Sequence, residues 1–114
     1  YTPEMLAESL AKIRDWCAEA GRPADAVRPA LFAFTACHED SARGWAMATD
    51  KLGAQYAQDF TKIARRYVIA GTPDECRARL QEYADAGART FFLSSACPPE
   101  ECDASESLLA REVL

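Results

Sequence analysis

The hydrophobic positions of this chain fall into helix-spaced stripes separated by short, nearly unbroken apolar runs. From Pro3 to about Ala20, Leu6, Leu10, Ile13 and Cys17 recur at four, three and four positions, the spacing of one buried helical stripe. Thr2 is placed to cap this helix, Pro3 suits its first turn, Glu4 complements its dipole, and Gly21 with Pro23 ends it. The run PALFAFTAC, Pro29 to Cys37, is almost continuously apolar. Such a run predicts a strand covered on both faces, as in a parallel sheet. HEDSAR then turns the chain into a helical region from about Ser41 to Arg66. Trp45, Leu52, Tyr56, Phe60 and Ile63 form its expected apolar stripe, with Gly53 as a candidate break between two helices.

Tyr67 to Ala70 predict a second, short strand, and Gly71 permits a tight turn after it. Thr72-Pro73-Asp74-Glu75 is a helix start: Thr72 caps, Pro73 takes the first helical position, and Glu75 is placed to bond back. Cys76, Leu80, Tyr83 and Ala84 face inward in that helix, and Gly87 terminates it. Thr90 to Ser95, TFFLSS, predict the third strand. CPPEEC, Cys97 to Cys102, reads as a loop, with Asp103 and Glu106 opening a last helix that carries Leu108, Leu109 and Val113. The order α-β-α-β-α-β-α implies parallel pairing. The predicted class is α/β, with three parallel βα units in one segment spanning residues 1–114. Three such strands leave two open sheet edges, which further strands of a barrel would close.

Composition narrows the function classes. Thirteen basic against eighteen acidic side chains give a net charge of −5, which excludes a nucleic-acid or anionic-membrane surface as the expected partner. No apolar run approaches the ~20 residues of a membrane helix. The five cysteines are odd in number and scattered, so a reduced, cytoplasmic protein is expected rather than a disulfide framework.

AGTPDECRARLQEYADAGARTFFLSS resembles the closing segment of the luciferase-like monooxygenase family. The residues that carry the likeness are Gly71, Thr72, Pro73, Asp74, Glu75, Ala86, Gly87 and Phe91 to Leu93. Upstream, TPEMLAESLAKIRDWCAEAGRPADAV resembles the helix before that family's sixth strand, and SLLAREVL resembles its final helix. The resemblance implies the C-terminal part of a (β/α)8 TIM barrel, about strands six to eight. A full barrel takes ~250 residues, so the first five βα units lie outside this chain. It further implies an oxidoreductase or monooxygenase using flavin (FMN) or the deazaflavin coenzyme F-420, most of whose binding site is elsewhere. The expected partners are a small-molecule substrate, the rest of the barrel or a second chain, and further copies in a homo-oligomer. The segment by itself is expected to be inactive.

Barrel sites lie at the C-terminal ends of the strands. That rule selects Cys37-His38-Glu39, Ala70-Gly71-Thr72 and Ser94-Ser95-Ala96-Cys97. His38, the only histidine, is suited to orient a substrate or move a proton near neutral pH, or is a polar loop residue. Cys37 and His38 are no nucleophile–base pair, because adjacent strand residues point to opposite faces. Gly71-Thr72 opens a helix, a common anion site, but Asp74 and Glu75 favour a structural turn there. Ser94 and Ser95 either contact a ligand or simply end the strand. Thr35, His38, Ser94 and Ser95 are therefore the candidates for pocket lining, with Gly71 and Thr72 as the adjoining turn, and no catalytic residue is assigned. Cys97 and Cys102 lack zinc-site spacing and partners, Glu100-Glu101 reads as a solvated loop, and Trp45, Tyr56 and Phe60 read as packing. The other reading is a non-catalytic α/β interaction module that self-associates to bury its sheet edges.

Overall fold

A computed structural model describes residues 1–114. Helix α1 covers Pro3–Glu19, strand β1 Ala30–Cys37, α2 Ser41–Tyr56, α3 Thr61–Tyr67, β2 Ile69–Gly71, α4 Pro73–Asp85, β3 Thr90–Ser95 and α5 Pro99–Glu112. The local signals act as expected at several ends. Thr2 Oγ1 accepts from Met5 N–H at the start of α1. Thr72 and Glu75 form a reciprocal capping box at the start of α4. Gly87, at φ +119°, ends α4 in a backbone conformation that side chains resist.

All three strands are parallel, and their order across the sheet is β2-β1-β3. β3 runs beside β1 from Ala30↔Thr90 to Thr35↔Ser95. β2 pairs only with the last three residues of β1, Thr35↔Ile69 to Cys37↔Gly71. The central strand is thus the first in sequence, whereas three successive barrel strands would run in sequence order. No helix is long and apolar enough to cross a membrane.

The core has two halves, one on each face of the sheet. Leu31, Ala33 and Cys37 pack with Leu6 and Leu10 of α1, Cys76 and Tyr83 of α4, and Leu109 of α5. On the other face, Ala36 and Ala70 pack with Met47, Ala48 and Leu52 of α2 and Ala64 of α3. Helix α2 seats directly on the strand ends at Gly44, where an added Cβ would lie 2.9 Å from Gly71 Cα and 3.1 Å from the Ala36 carbonyl oxygen. Tyr83, deep under α1, donates its hydroxyl to the Tyr1 carbonyl oxygen at 2.7 Å.

Four expectations change. The cover over β1 is one-sided at its start: Phe32 and its cross-strand neighbour Phe92 are each 61% exposed, because α2 and α3 reach only the C-terminal end of that face. The long helical region breaks after Tyr56, not at Gly53, and Tyr67 closes α3 instead of opening β2. The buried stripe of α2 is Gly44, Met47, Ala48 and Leu52, while Tyr56 lies exposed. CPPEEC is largely helical, since Pro99 begins α5 and Glu100 and Glu101 occupy its first turn.

Candidate functional site

A cleft of about 420 Å³ opens at the C-terminal end of β1, between it and α5. After β1 the chain goes to α2 on one face of the sheet; after β3 it goes to α5 on the other. Diverging connections from adjacent parallel strands open a crevice at their carboxyl ends, a general position for ligand sites. His38, Glu39, Glu101, Ser105 and Arg111 line it, with Cys37 and Met47 in its floor.

The polar groups of the cleft are largely committed to the fold. Ser105 Oγ accepts the Cys37 N–H at 2.9 Å, and both residues are buried. Arg43 donates through Nη2 to both carboxylate oxygens of Glu101, at 2.6 and 2.7 Å. Arg111 Nε bonds Glu112 at 2.8 Å. His38 Nδ1 accepts the Asp40 N–H at 2.9 Å, so a neutral ring carries its proton on Nε2. The ring makes no other hydrogen bond, which leaves that Nε2–H free for a ligand. Glu39, Glu100 and Glu101 against Arg111 make the lining net acidic.

No activated nucleophile accompanies it. Burial pushes the Cys37 thiol up, against a smaller opposing hydrogen bond with Cys76. Burial likewise raises Cys97 and, well beyond the ordinary thiol range, Cys76. These thiols stay protonated at neutral pH and are inert as nucleophiles. No group of three His, Cys, Asp or Glu side chains is placed to hold a metal ion.

The sequence-derived candidates do not converge. His38 lines the cleft, while Thr72 lines a separate groove of about 310 Å³ that also touches Glu39 and Arg111. Thr35 is buried, and its carbonyl oxygen accepts the Ala96 N–H. Ser95 donates to Glu106 of α5. Ser94 shares the aromatic face with Phe34, its partner on β1. Gly71 is buried at φ +113°, where an added Cβ would strike the Glu75 carboxylate and come within 3.1 Å of Trp45 Nε1. That indole N–H is buried without a partner, and the Arg65 guanidinium stacks 4.1 Å from the ring centre. Sequence reasoning missed Ser105, Arg111 and Glu101 as cleft residues. Ser105 and Arg111 already fall in the expected last helix, but only its start at Pro99 adds Glu101 to the same helix.

The residues present do not fit the phosphate end of a flavin or deazaflavin. At the start of α4, Thr72 N–H and the Ser41 hydroxyl both donate to Glu75 Oε2 at 2.7 Å. Those bonds hold the Glu75 carboxyl below its ordinary range, the Thr72 backbone bond contributing most. The helix N-terminus already holds a carboxylate, and the neighbouring cleft is acidic.

Among solved structures, the chain matches the crystal structure of monooxygenase RslO1 from Streptomyces bottropensis, with a TM-score of 0.73 and 22% identity. The match covers 99% of this chain and 38% of that one. A second match is the coenzyme F420 dependent tetrahydromethanopterin reductase from Methanopyrus kandleri, with a TM-score of 0.65 and 20% identity over 98% of this chain and 42% of that one. The fold is that of part of each of these two structures, an α/β segment of a barrel. The chain spans about two fifths of the length of each of these proteins. No protein-family profile matches it, and no curated protein matches its sequence. The cleft beside His38 lies at the C-terminal end of β1, the end at which barrels build their sites.

Proposed function

We propose that this chain is the closing part of a luciferase-like oxidoreductase, one of the monooxygenase or reductase type, whose parent barrel uses FMN or coenzyme F-420. The observation that carries the reading is the uncovered aromatic face of the sheet. Phe32 and Phe92 stand side by side and exposed. Phe34 meets Phe32 edge-on at 5.3 Å between ring centres. A free-standing domain rarely leaves such a patch open, whereas further strands of a barrel would enclose it. The monooxygenase and reductase structures support this, since each continues well beyond the matched part.

In this reading the expected strands six to eight reduce to two neighbouring staves, β1 and β3, with the short β2 at the rim beside the end of β1. The cofactor, when bound, supplies the redox step; its phosphate is held by the remainder of the parent. This chain lines the substrate side of the barrel mouth. His38 offers its Nε2–H to a small-molecule substrate, Ser94 gives the aromatic face a polar contact, and Thr35, Ser95, Gly71 and Thr72 position those groups. The segment alone is inactive, and the parent is a cytoplasmic homo-oligomer.

The test is the open reading frame surrounding the segment. Further βα units upstream of Tyr1, and a whole product that quenches FMN fluorescence or shifts F-420 absorbance, are the expected result. A frame encoding only these residues, whose product ignores both cofactors, would overturn the proposal. The same aromatic face favours one other reading, a non-catalytic module that buries Phe32 and Phe92 against a second copy. Sedimentation of the purified chain as a cofactor-free dimer would support that alternative.

A further inference from the structure

The end of the sheet opposite the candidate site carries a second cleft, of about 570 Å³, between α1 and the loops that lead into β1 and β3. Three guanidiniums line it from three separate segments: Arg14 of α1, Arg28 before β1 and Arg89 before β3. This gathering inverts locally the sign of a chain with net charge −5. Arg43, Arg77, Arg79 and Arg111 each pair with a carboxylate; Arg14, Arg28 and Arg89 pair with none. Arg89 is held in place, its Nη1 donating to the Ala84 and Ala88 carbonyl oxygens at 3.0 Å beside the C-terminal end of α4. Its Nη2 and Nε donors remain free. Asp25 is the one carboxylate in the lining, and it too forms no ion pair.

The floor of the cleft is apolar, formed by Leu10, Ile13, Val27 and Pro29. Gly87 keeps the cleft open toward α1, since an added Cβ there would come within 2.7 Å of Leu10 Cδ1. A charged rim over an apolar trough selects a ligand with the same division.

We propose that this cleft binds an amphipathic small anion, a single carboxylate or phosphate on an alkyl or acyl chain. The head lies on Arg14, Arg28 and Arg89, whose planar donors suit carboxylate and phosphate oxygens, and the chain lies along Leu10, Ile13 and Val27. At the N-terminal end of the strands such a site stands apart from barrel chemistry, so its role is accessory binding. The cleft is built entirely from this chain and holds whether or not the parent is an oxidoreductase.

Isothermal titration of the whole protein that carries these residues with monomeric decyl phosphate tests it. One-to-one binding is expected, with inorganic phosphate and decanol each binding more weakly. Arg14→Gln combined with Arg28→Gln is expected to weaken binding about tenfold or more, with an unchanged circular-dichroism spectrum. Val27→Ser is expected to weaken decyl phosphate but not inorganic phosphate. Absence of binding, equal binding by the double variant, or equal binding of decyl and inorganic phosphate would overturn the proposal. Attachment to phosphatidylglycerol vesicles without binding of the monomer would overturn it too, since it would assign the arginines to a membrane surface.

Discussion

Ser105 sits where no motif announces it. Its hydroxyl satisfies a buried N–H on β1 across 68 positions of sequence. Ser105→Ala leaves that N–H unpaired and is expected to lower stability by about 1–3 kcal/mol, read as a fall in Tm; Ser107→Ala, on the exposed side of the same helix, is expected to leave Tm unchanged. Glu75 offers a pH-dependent counterpart. Its carboxyl is depressed in the folded state, so its contribution is complete above the ordinary value of 4.5 and is lost as pH falls through the lower folded value. The stability difference between wild type and Glu75→Gln, from urea denaturation, is expected to be largest at neutral pH and to shrink in acid. The effect is small, because the carboxylate is exposed to solvent. The capping box was legible because Thr72 and Glu75 are three residues apart and local geometry alone joins them. Ser105 was not, because nothing local pairs it with Cys37.

Among the elements, the boundary between α2 and α3 separates local preference from context. Gly53 marks a plausible break, yet the helix continues through it. A helix interior tolerates glycine at about 1 kcal/mol, and the Gly53 carbonyl oxygen accepts the N–H groups of Ala57 and Gln58 that close the helix. The left-handed residue falls instead on Ala57, at φ 51°. Ala57→Gly removes that steric cost and is expected to raise stability by about 1 kcal/mol, visible as a higher urea midpoint with an unchanged m-value. Helix α5 shows the reverse error. The prolines of CPPEEC suggest a loop, but Pro99 at the first helical position is compatible with a start, and moving the start back brings Glu101 into the cleft.

For the molecule as a whole, the open question in the sequence was what covers the apolar strands. The sheet answers for one face and leaves the other half bare, at Phe32 and Phe92. The double variant Phe32→Ser, Phe92→Ser is expected to reduce self-association and dye binding of this chain, measured by sedimentation and by 8-anilinonaphthalene-1-sulfonate fluorescence. Its Tm is expected to stay near that of the wild type, since exposed side chains contribute little packing. Placed within a whole barrel, the same pair is expected to destabilise by about 3 kcal/mol or more. A chain that loses stability by itself on this substitution would show that the aromatic face is already part of a self-contained core.

The sequence alone determined the alternation of helices and strands, their parallel sense, the caps of α1 and α4 and the glycine that ends α4. Each depends on residues a few positions apart, where backbone sterics and hydrophobic period act without distant partners. Tertiary structure alone decided the order β2-β1-β3, the pairing of β2 with only the last three residues of β1, the cleft built by Ser105 and Arg111 beside His38, and the convergence of Arg14, Arg28 and Arg89. Those features join segments far apart in the chain, and which of them meet is set by how the two faces of the sheet are divided between α2–α3 and α1, α4 and α5. No local period encodes that division.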